Sequence, residues 1–224
     1  MIRALVLSCL VLWALAAPAR ACRLALALAF DVSRSVDAAD YRVQMDGIVA
    51  ALFDSEVRGL ILSSPDPVAM AIYEWAGPRS QRLVADWVVL HSEAEIDRLA
   101  QAVLLHQRQD SGDTAVGAAL AYGHALLGRA PGCLFQTLDV SGDGENNAGP
   151  EPAEVYAERD FGGIIVNGLA IGQHESRIRR WFEAQVARGP GAFVEFAPRH
   201  REFAEAFRRK LIRELTPPLL GALQ

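Results

Sequence analysis

An Asp-x-Ser-x-Ser cluster, Asp31-Val32-Ser33-Arg34-Ser35, ends the apolar run 24–30. Three short oxygen-bearing side chains, placed where a buried strand gives way to a loop, make half of a cage for a hard divalent cation, because such ions take oxygen ligands. Two further segments carry the same chemistry: Gly112-Asp113-Thr114, ahead of an alanine-rich stretch, and Ser141-Gly142-Asp143-Gly144-Glu145-Asn146-Asn147, after a second apolar run. Each alone has a plainer reading. Asp and Ser satisfy free amides at helix starts, Thr114 is a good N-cap, and Asp143-Gly144 makes a turn. Their joint occurrence at strand and helix edges of one sheet points to a metal site.

The elements that must position these loops are legible from periodicity and turn chemistry. The run 24–30 predicts a strand, followed by a helix capped by Asp37 with Tyr41, Met45, Ile48, Val49 and Leu52 at helical spacing. Strands over 68–75 and 83–90, joined through Gly77-Pro78, predict an antiparallel pair. Ser92 with Glu95 at the capping-box position opens a helix carrying Ile96, Leu99, Val103 and Leu104; Thr114 opens an alanine-rich helix to about residue 127. Strands over 134–140, 163–171 and 192–196 then alternate with helices over 152–161, 175–187 and 201–215. This predicts an α/β fold whose mostly parallel six-stranded sheet has one antiparallel edge strand and helices on both faces. In such sheets ligands bind outside the carboxyl ends of the strands, where all three loops fall.

With 224 residues, 51% of them hydrophobic, the chain can bury one sizeable core, and one domain is expected over 22–216, with a short tail at 217–224. Residues 1–21 predict a signal peptide: Arg3, then an apolar run over 4–17, then Ala19-Arg20-Ala21 at the cleavage site. An uncleaved anchor, or lipid attached at Cys22, is the alternative. Cleavage removes Arg3 and Arg20 and no acidic residue, taking the net charge from −5 to −7. That balance argues against nucleic acid or anionic lipid as partner, and no later stretch is apolar enough to cross a membrane. Export to the periplasm or the medium is therefore expected. Cleavage also removes Cys9 and leaves Cys22 and Cys133, an even count in an oxidising compartment. Each immediately precedes a strand, so if those strands are parallel neighbours the two sulfurs can form a disulfide at the opposite end from the loops.

Taken in order, the three loops and the edge strand resemble the von Willebrand factor A (VWA) domain and its metal-ion-dependent adhesion site. With Cys22, the Ser141-Gly142-Asp143-Gly144 turn and the signal peptide, the chain also resembles an uncharacterised family of exported bacterial VWA-like proteins. The resemblance implies a Rossmann-like three-layer α/β/α fold. It makes Ser33, Ser35 and Thr114 hydroxyl ligands, with Asp31 and Asp143 holding the ion directly or through its waters. Mg2+ suits that set, with Mn2+ or Ca2+ as alternatives, and the ion would receive an Asp or Glu carboxylate from a protein partner. Arg34, Asp113, Glu145 and Asn146 would form the partner-binding rim. Two residues depart from the family pattern: Asp113 stands where a small residue is usual, and Glu145 follows Asp143 closely, so either can add negative charge beside the ion.

A binding module rather than an enzyme is the expected function, because no nucleophile–base pair accompanies the site. The competing expectation is a metal-dependent hydrolase or phosphatase, although the position of the second Asp such enzymes need is Ser33 and the sole lysine, Lys210, lies on the last helix. A third is a structural or assembly domain without metal-bridged binding. Asp139 is expected to face outward or pair locally, and Arg208-Arg209-Lys210 and Arg177-Ile178-Arg179-Arg180 to form solvated helix faces. His91, His106, His124, His174 and His200 show no ligand-like spacing, and Tyr73, Trp75, Trp87 and Trp181 are expected in core or edge packing.

Overall fold

The apolar run ending at Asp31 becomes β1 (Cys22–Asp31), a strand covered on both faces. Leu24, Leu26, Leu28 and Phe30 face one helical layer, while Ala25, Ala27 and Ala29 face the other. The structure, a computed structural model, describes residues 22–172 and 175–216, the side chains of 175 and 176 excepted. The expected signal peptide, the tail at 217–224 and His174 lie outside the described residues.

After β1 come α1 (Ala38–Phe53), α2 (Ser55–Leu62), β2 (Val68–Trp75), β3 (Gln81–Leu90), α3 (Glu93–Leu105) and α4 (Val116–Leu127). They are followed by β4 (Cys133–Gly142), α5 (Pro152–Glu158), β5 (Ile164–Ile171), α6 (Glu175–Gln185), β6 (Val194–Ala197), a 3-10 turn at His200–Glu202, and α7 (Phe203–Leu215). The strand order is β3-β2-β1-β4-β5-β6, parallel throughout except for the antiparallel β2–β3 pair at one edge. Helices α1, α2, α3 and α7 bury one face of the sheet, and α4, α5 and α6 bury the other. The expected three-layer α/β/α sheet is therefore present, and Cys22 pairs with Cys133 in register on β1 and β4, forming a disulfide with the Cα atoms 4.4 Å apart.

The alanine face of β1 admits α4 closely, and α4 answers with a glycine. A Cβ at Gly123 would sit 2.6 Å from Leu138 Cδ1 and 2.7 Å from the Tyr73 hydroxyl, which itself donates to Ala119 O at 2.8 Å. Gly123→Ala is expected to cost roughly 1–3 kcal/mol through overpacking. Urea unfolding measures it, and an unchanged midpoint would refute so tight a helix–sheet contact.

Four local expectations are corrected. Helix α2 has no counterpart in the periodicity reading, because in eight residues it fully buries only Val57 and Ile61; Asp54 caps it, accepting from the amides of Glu56 and Val57 immediately after α1 ends. Thr114 does not open α4, which starts at Val116 with Ala115 at the N-cap position, since the Thr114 amide and hydroxyl are bonded elsewhere. Ser92 turns its hydroxyl to the Glu95 carboxylate and makes no side-chain bond to the first-turn amides. Finally, Asp139 does not face outward and Lys210 does not lie on a solvated face. Lys210 Nζ sits 2.6 Å from Asp139 Oδ1 on β4 and 2.7 Å from Glu214 Oε1 one turn along α7, with all three side chains sealed from solvent. Asn167 of β5 donates to Glu214 at 2.8 Å, and burial pushes the Asp139 carboxyl up to about 7 against the opposing pull of Lys210. Among the described residues no helix is long and apolar enough to cross a membrane.

Candidate metal site

Three loops meet at the carboxyl end of β1 and β4. Asp31, the last residue of β1, is fully buried beside Trp75 of β2, and its Oδ1 accepts the Ser33 amide at 2.7 Å. The Ser33 and Ser35 hydroxyls lie 3.0 Å apart, Thr114 Oγ1 donates to Ser33 Oγ at 3.3 Å, and Ser35 Oγ donates to Asp143 Oδ1 at 2.6 Å. The backbone amide of Asp143 faces Asp31 Oδ2 at a long 3.5 Å. All five residues expected as ligands are thus brought to one place. Burial, and then the charge of Asp143, raise the Asp31 carboxyl to about 7. The walls are tight: a Cβ at Gly144 would stand 3.3 Å from Thr114 Oγ1, and one at Gly142 3.2 Å from Asp31 Oδ2.

The rim residues expected from sequence divide into two kinds. Arg34 and Asp113 are both exposed and pair with each other at 3.9 Å, while Glu145 is held by Arg177 at 2.8 Å, which keeps its carboxyl below the usual range. Both extra carboxylates therefore have cationic partners on the rim. Asn146 instead serves as a strut, its Oδ1 accepting the Gly117 amide at 3.2 Å in the first turn of α4. Its neighbour Asn147 pins Thr114 twice: Oδ1 accepts the Thr114 amide at 2.8 Å, and its own amide donates to Thr114 O at 2.9 Å. From Ser35, Thr114 and Asp143 a cleft of about 530 Å³ opens past Asn146 to Ile171, Ile178 and Arg177.

Two residues outside the sequence-based set touch this region. His200, in the turn before α7, faces Asp40 with Nδ1 at 3.4 Å and Asp143 Oδ2 with Nε2 at 3.8 Å. Arg108 bonds the carbonyls of the serine-bearing turn. Neither had a signal in the linear pattern, because each reaches the loops only through the packing of another element.

The donor chemistry fits a hard divalent cation. Three hydroxyls and two carboxylates are all-oxygen donors, the set Mg2+, Mn2+ and Ca2+ accept, whereas Zn2+ sites are usually built on Cys and His. Among the described residues no group of three or more His, Cys, Asp or Glu is arranged to hold a metal.

A family described as a protein of unknown function (DUF1194) matches residues 21–219, nearly all of the folded chain and every residue of the site. The chain belongs to the DUF1194 family. No curated protein matches this DUF1194 chain. Among solved structures it is similar to proximal thread matrix protein 1 from the mussel byssus with a zinc-occupied MIDAS motif, at 16% identity and TM-score 0.62 over 87% of this chain and 46% of that one. It is similar to a von Willebrand factor type A protein from Catenulispora acidiphila, at 18% identity and TM-score 0.60 over 87% and 43%. It also resembles the pilus adhesin SpaC from Lactobacillus rhamnosus GG, at 12% identity and TM-score 0.62 over 87% and 30%. The DUF1194 chain spans less than half the length of these three proteins. At such identities the likeness establishes the fold, that of a VWA domain.

Proposed function

We propose that the chain is an exported binding module that holds a divalent cation on Asp31, Ser33, Ser35, Thr114 and Asp143 and there engages an Asp or Glu carboxylate of a protein partner. The observation that carries this reading is the convergence of three hydroxyls and two carboxylates from three separate loops at the mouth of an open cleft. A bound ion supplies an electrophilic centre for an incoming oxygen. Asp31 and Asp143 balance its charge, the serine and threonine hydroxyls fill the remaining protein side, and the Arg34–Asp113 and Glu145–Arg177 pairs border the approach. Mg2+ is the expected ion, with Mn2+ or Ca2+ as the alternatives.

The zinc-occupied motif of the mussel protein and the adhesin role of the pilus protein support this reading for a chain of the same fold. The Cys22–Cys133 disulfide supports an oxidising compartment, in keeping with a signal peptide over 1–21 and a folded domain over 22–216. The phosphoryl-transfer alternative gains nothing at the site, since Lys210 is sealed against Asp139.

Capture of partners from the native exported fraction tests the proposal. Binding in Mg2+ that disappears with EDTA and with Asp31→Ala is the expected result. Full capture by Asp31→Ala, or in EDTA, would exclude a metal-bridged contact.

A further inference from the structure

The turn that carries Ser33 and Ser35 closes on itself through a single backbone bond, from the Val36 amide to Ser33 O at 3.1 Å. Three carbonyls of the turn, Ser33 O among them, also accept from one side chain of another loop. Arg108 donates from Nη2 to Val32 O and, at 3.0 Å, to Ser33 O, and from Nη1 to Val36 O at 2.8 Å. Its remaining nitrogen, Nε, donates to Asp110 O at 3.0 Å and so fixes the guanidinium to its own segment. A return bond runs from the Arg34 amide to Gly112 O at 2.8 Å. The segment 106–113 is in turn tied to β2 and the edge strand β3, with His106 Nε2 facing Glu74 Oε2 at 3.1 Å, the Gln109 amide donating to Glu74 at 3.3 Å and Asp110 pairing with Arg82 at 3.2 Å.

We infer that Arg108 is the positioning residue of the ion site, locking the Asp-x-Ser-x-Ser turn onto the segment that delivers Thr114. The inference rests on the metal-binding reading above for its consequence and on the hydrogen bonds alone for its geometry. Three carbonyl dipoles converge on one permanent cation, since a guanidinium does not deprotonate in proteins. Its planar fork reaches separate acceptors at once, which the point charge of a lysine ammonium does not. Those carbonyls are thereby occupied by Arg108, while the hydroxyls of Ser33, Ser35 and Thr114 stay together at spacings of 3.0 and 3.3 Å. Without Arg108 the three carbonyls lose their shared donor, and the turn is left with the bonds of the Ser33, Arg34 and Val36 amides to hold its two serines. An arriving ion must then order the turn itself, and affinity falls.

The size of the fall follows from comparable groups. Residues that orient metal ligands without touching the metal change affinity by roughly 10–100-fold when replaced. A merely structural arginine would lower stability while leaving ion affinity alone, so a control on β3 that pairs with the same segment separates the two roles. Arg82→Ala breaks the pair with Asp110 and touches no carbonyl of the serine turn.

The test is calorimetric titration of the purified protein with MnCl2, in wild type, Arg108→Ala, Arg108→Lys and Arg82→Ala, alongside amide hydrogen exchange at Arg34 and Val36. The expected result is Mn2+ binding weakened roughly 10–100-fold in both Arg108 variants and within about twofold of wild type in Arg82→Ala, at a temperature where circular dichroism shows all of them folded. Arg108→Lys serves should Arg108→Ala fail to fold. Wild-type affinity in the Arg108 variants would overturn the inference. Should the wild type itself take up no Mn2+, it is the proposed function that fails, and exchange decides the inference: amides of Arg34 and Val36 exchanging roughly tenfold faster in Arg108→Lys than in Arg82→Ala uphold the clamp, and equal rates reject it.

Discussion

Lys210→Met is expected to destabilise the domain by roughly 3–5 kcal/mol near pH 7, the cost of stripping the partner from a buried ion pair. The substitution keeps the length and apolar volume of the side chain, so the loss is electrostatic. Asp139 and Glu214 would face each other at the sheet–α7 interface with no cation between them, and Asn167 alone satisfies part of one carboxylate. Burial already lifts the Asp139 carboxyl to about 7 with Lys210 present, and removing the ammonium lifts it further. The deficit should therefore shrink as pH falls and the Asp139 carboxyl protonates. Replacing the carboxyls as well, in Asp139→Asn/Lys210→Met/Glu214→Gln, should recover part of the loss, because a neutral set no longer leaves charge in the core. Urea midpoints between pH 5 and 8 measure this. A loss below about 1 kcal/mol at pH 7, typical of surface positions, would refute a sealed triad.

Asp31→Asn should have the second largest effect, and of opposite sign in the two measurements that report it. The Asp31 carboxyl is raised to about 7 from an unfolded value near 3.8, so the native state holds the proton that the unfolded chain has released. Below both values the group contributes nothing. Between them stability of the ion-free protein falls as pH rises, by about 1.4 kcal/mol per pH unit for this one group, and above about 7 the penalty is complete. Removing the ionisable oxygen should therefore flatten the pH dependence and stabilise the ion-free protein at pH 8. Ion binding runs the other way, because a cation needs the carboxylate. In the wild type, affinity should fall by up to about tenfold for each pH unit below 7, with proton release on binding, whereas Asp31→Asn should bind weakly at every pH. Thermal midpoints in EDTA and Mn2+ calorimetry at pH 5.5 to 8 give both curves. An Asp31→Asn protein whose ion-free stability tracks the wild type across that range would show that Asp31 carries no such strain.

These two residues mark the boundary between what could be read linearly and what could not. Asp31 was visible because its chemistry is local: an acid at the end of an apolar strand, two residues before a serine, limits where a carboxylate can point. Ser33, Ser35, Thr114 and Asp143 were visible for the same reason, since alternating β periodicity and loop position place them at one sheet end whatever the helices do. Cys22 and Cys133 followed from strand starts, and the in-register β1–β4 pairing bears that out. Lys210 and Glu214 show the opposite case. Lys210 read with Arg208 and Arg209 as part of a solvated helix face, and only the docking of α7 on the sheet turns it, with Glu214, inward onto Asp139.

The supports of the site belong to this second class. Asn146 read as a rim residue because polar loop residues usually face solvent, yet its carbonyl oxygen is spent on the start of α4. His200 reaches Asp143 only because the turn before α7 packs beside the β4 loop, and Arg108 reaches the serine turn across a gap that no spacing rule encodes. By itself, then, the sequence determined the α/β layering, the strand directions, the disulfide and the gathering of Asp31, Ser33, Ser35, Thr114 and Asp143 at one sheet end, since these depend on periodicity and on groups that act where they stand. Tertiary structure alone decided which charges are buried, which side chains hold the donors in place and which carboxylates are neutralised at the rim. The reason is physical: desolvation and hydrogen-bond partnership are properties of the space around a group, and that space is built by chain segments far away in sequence.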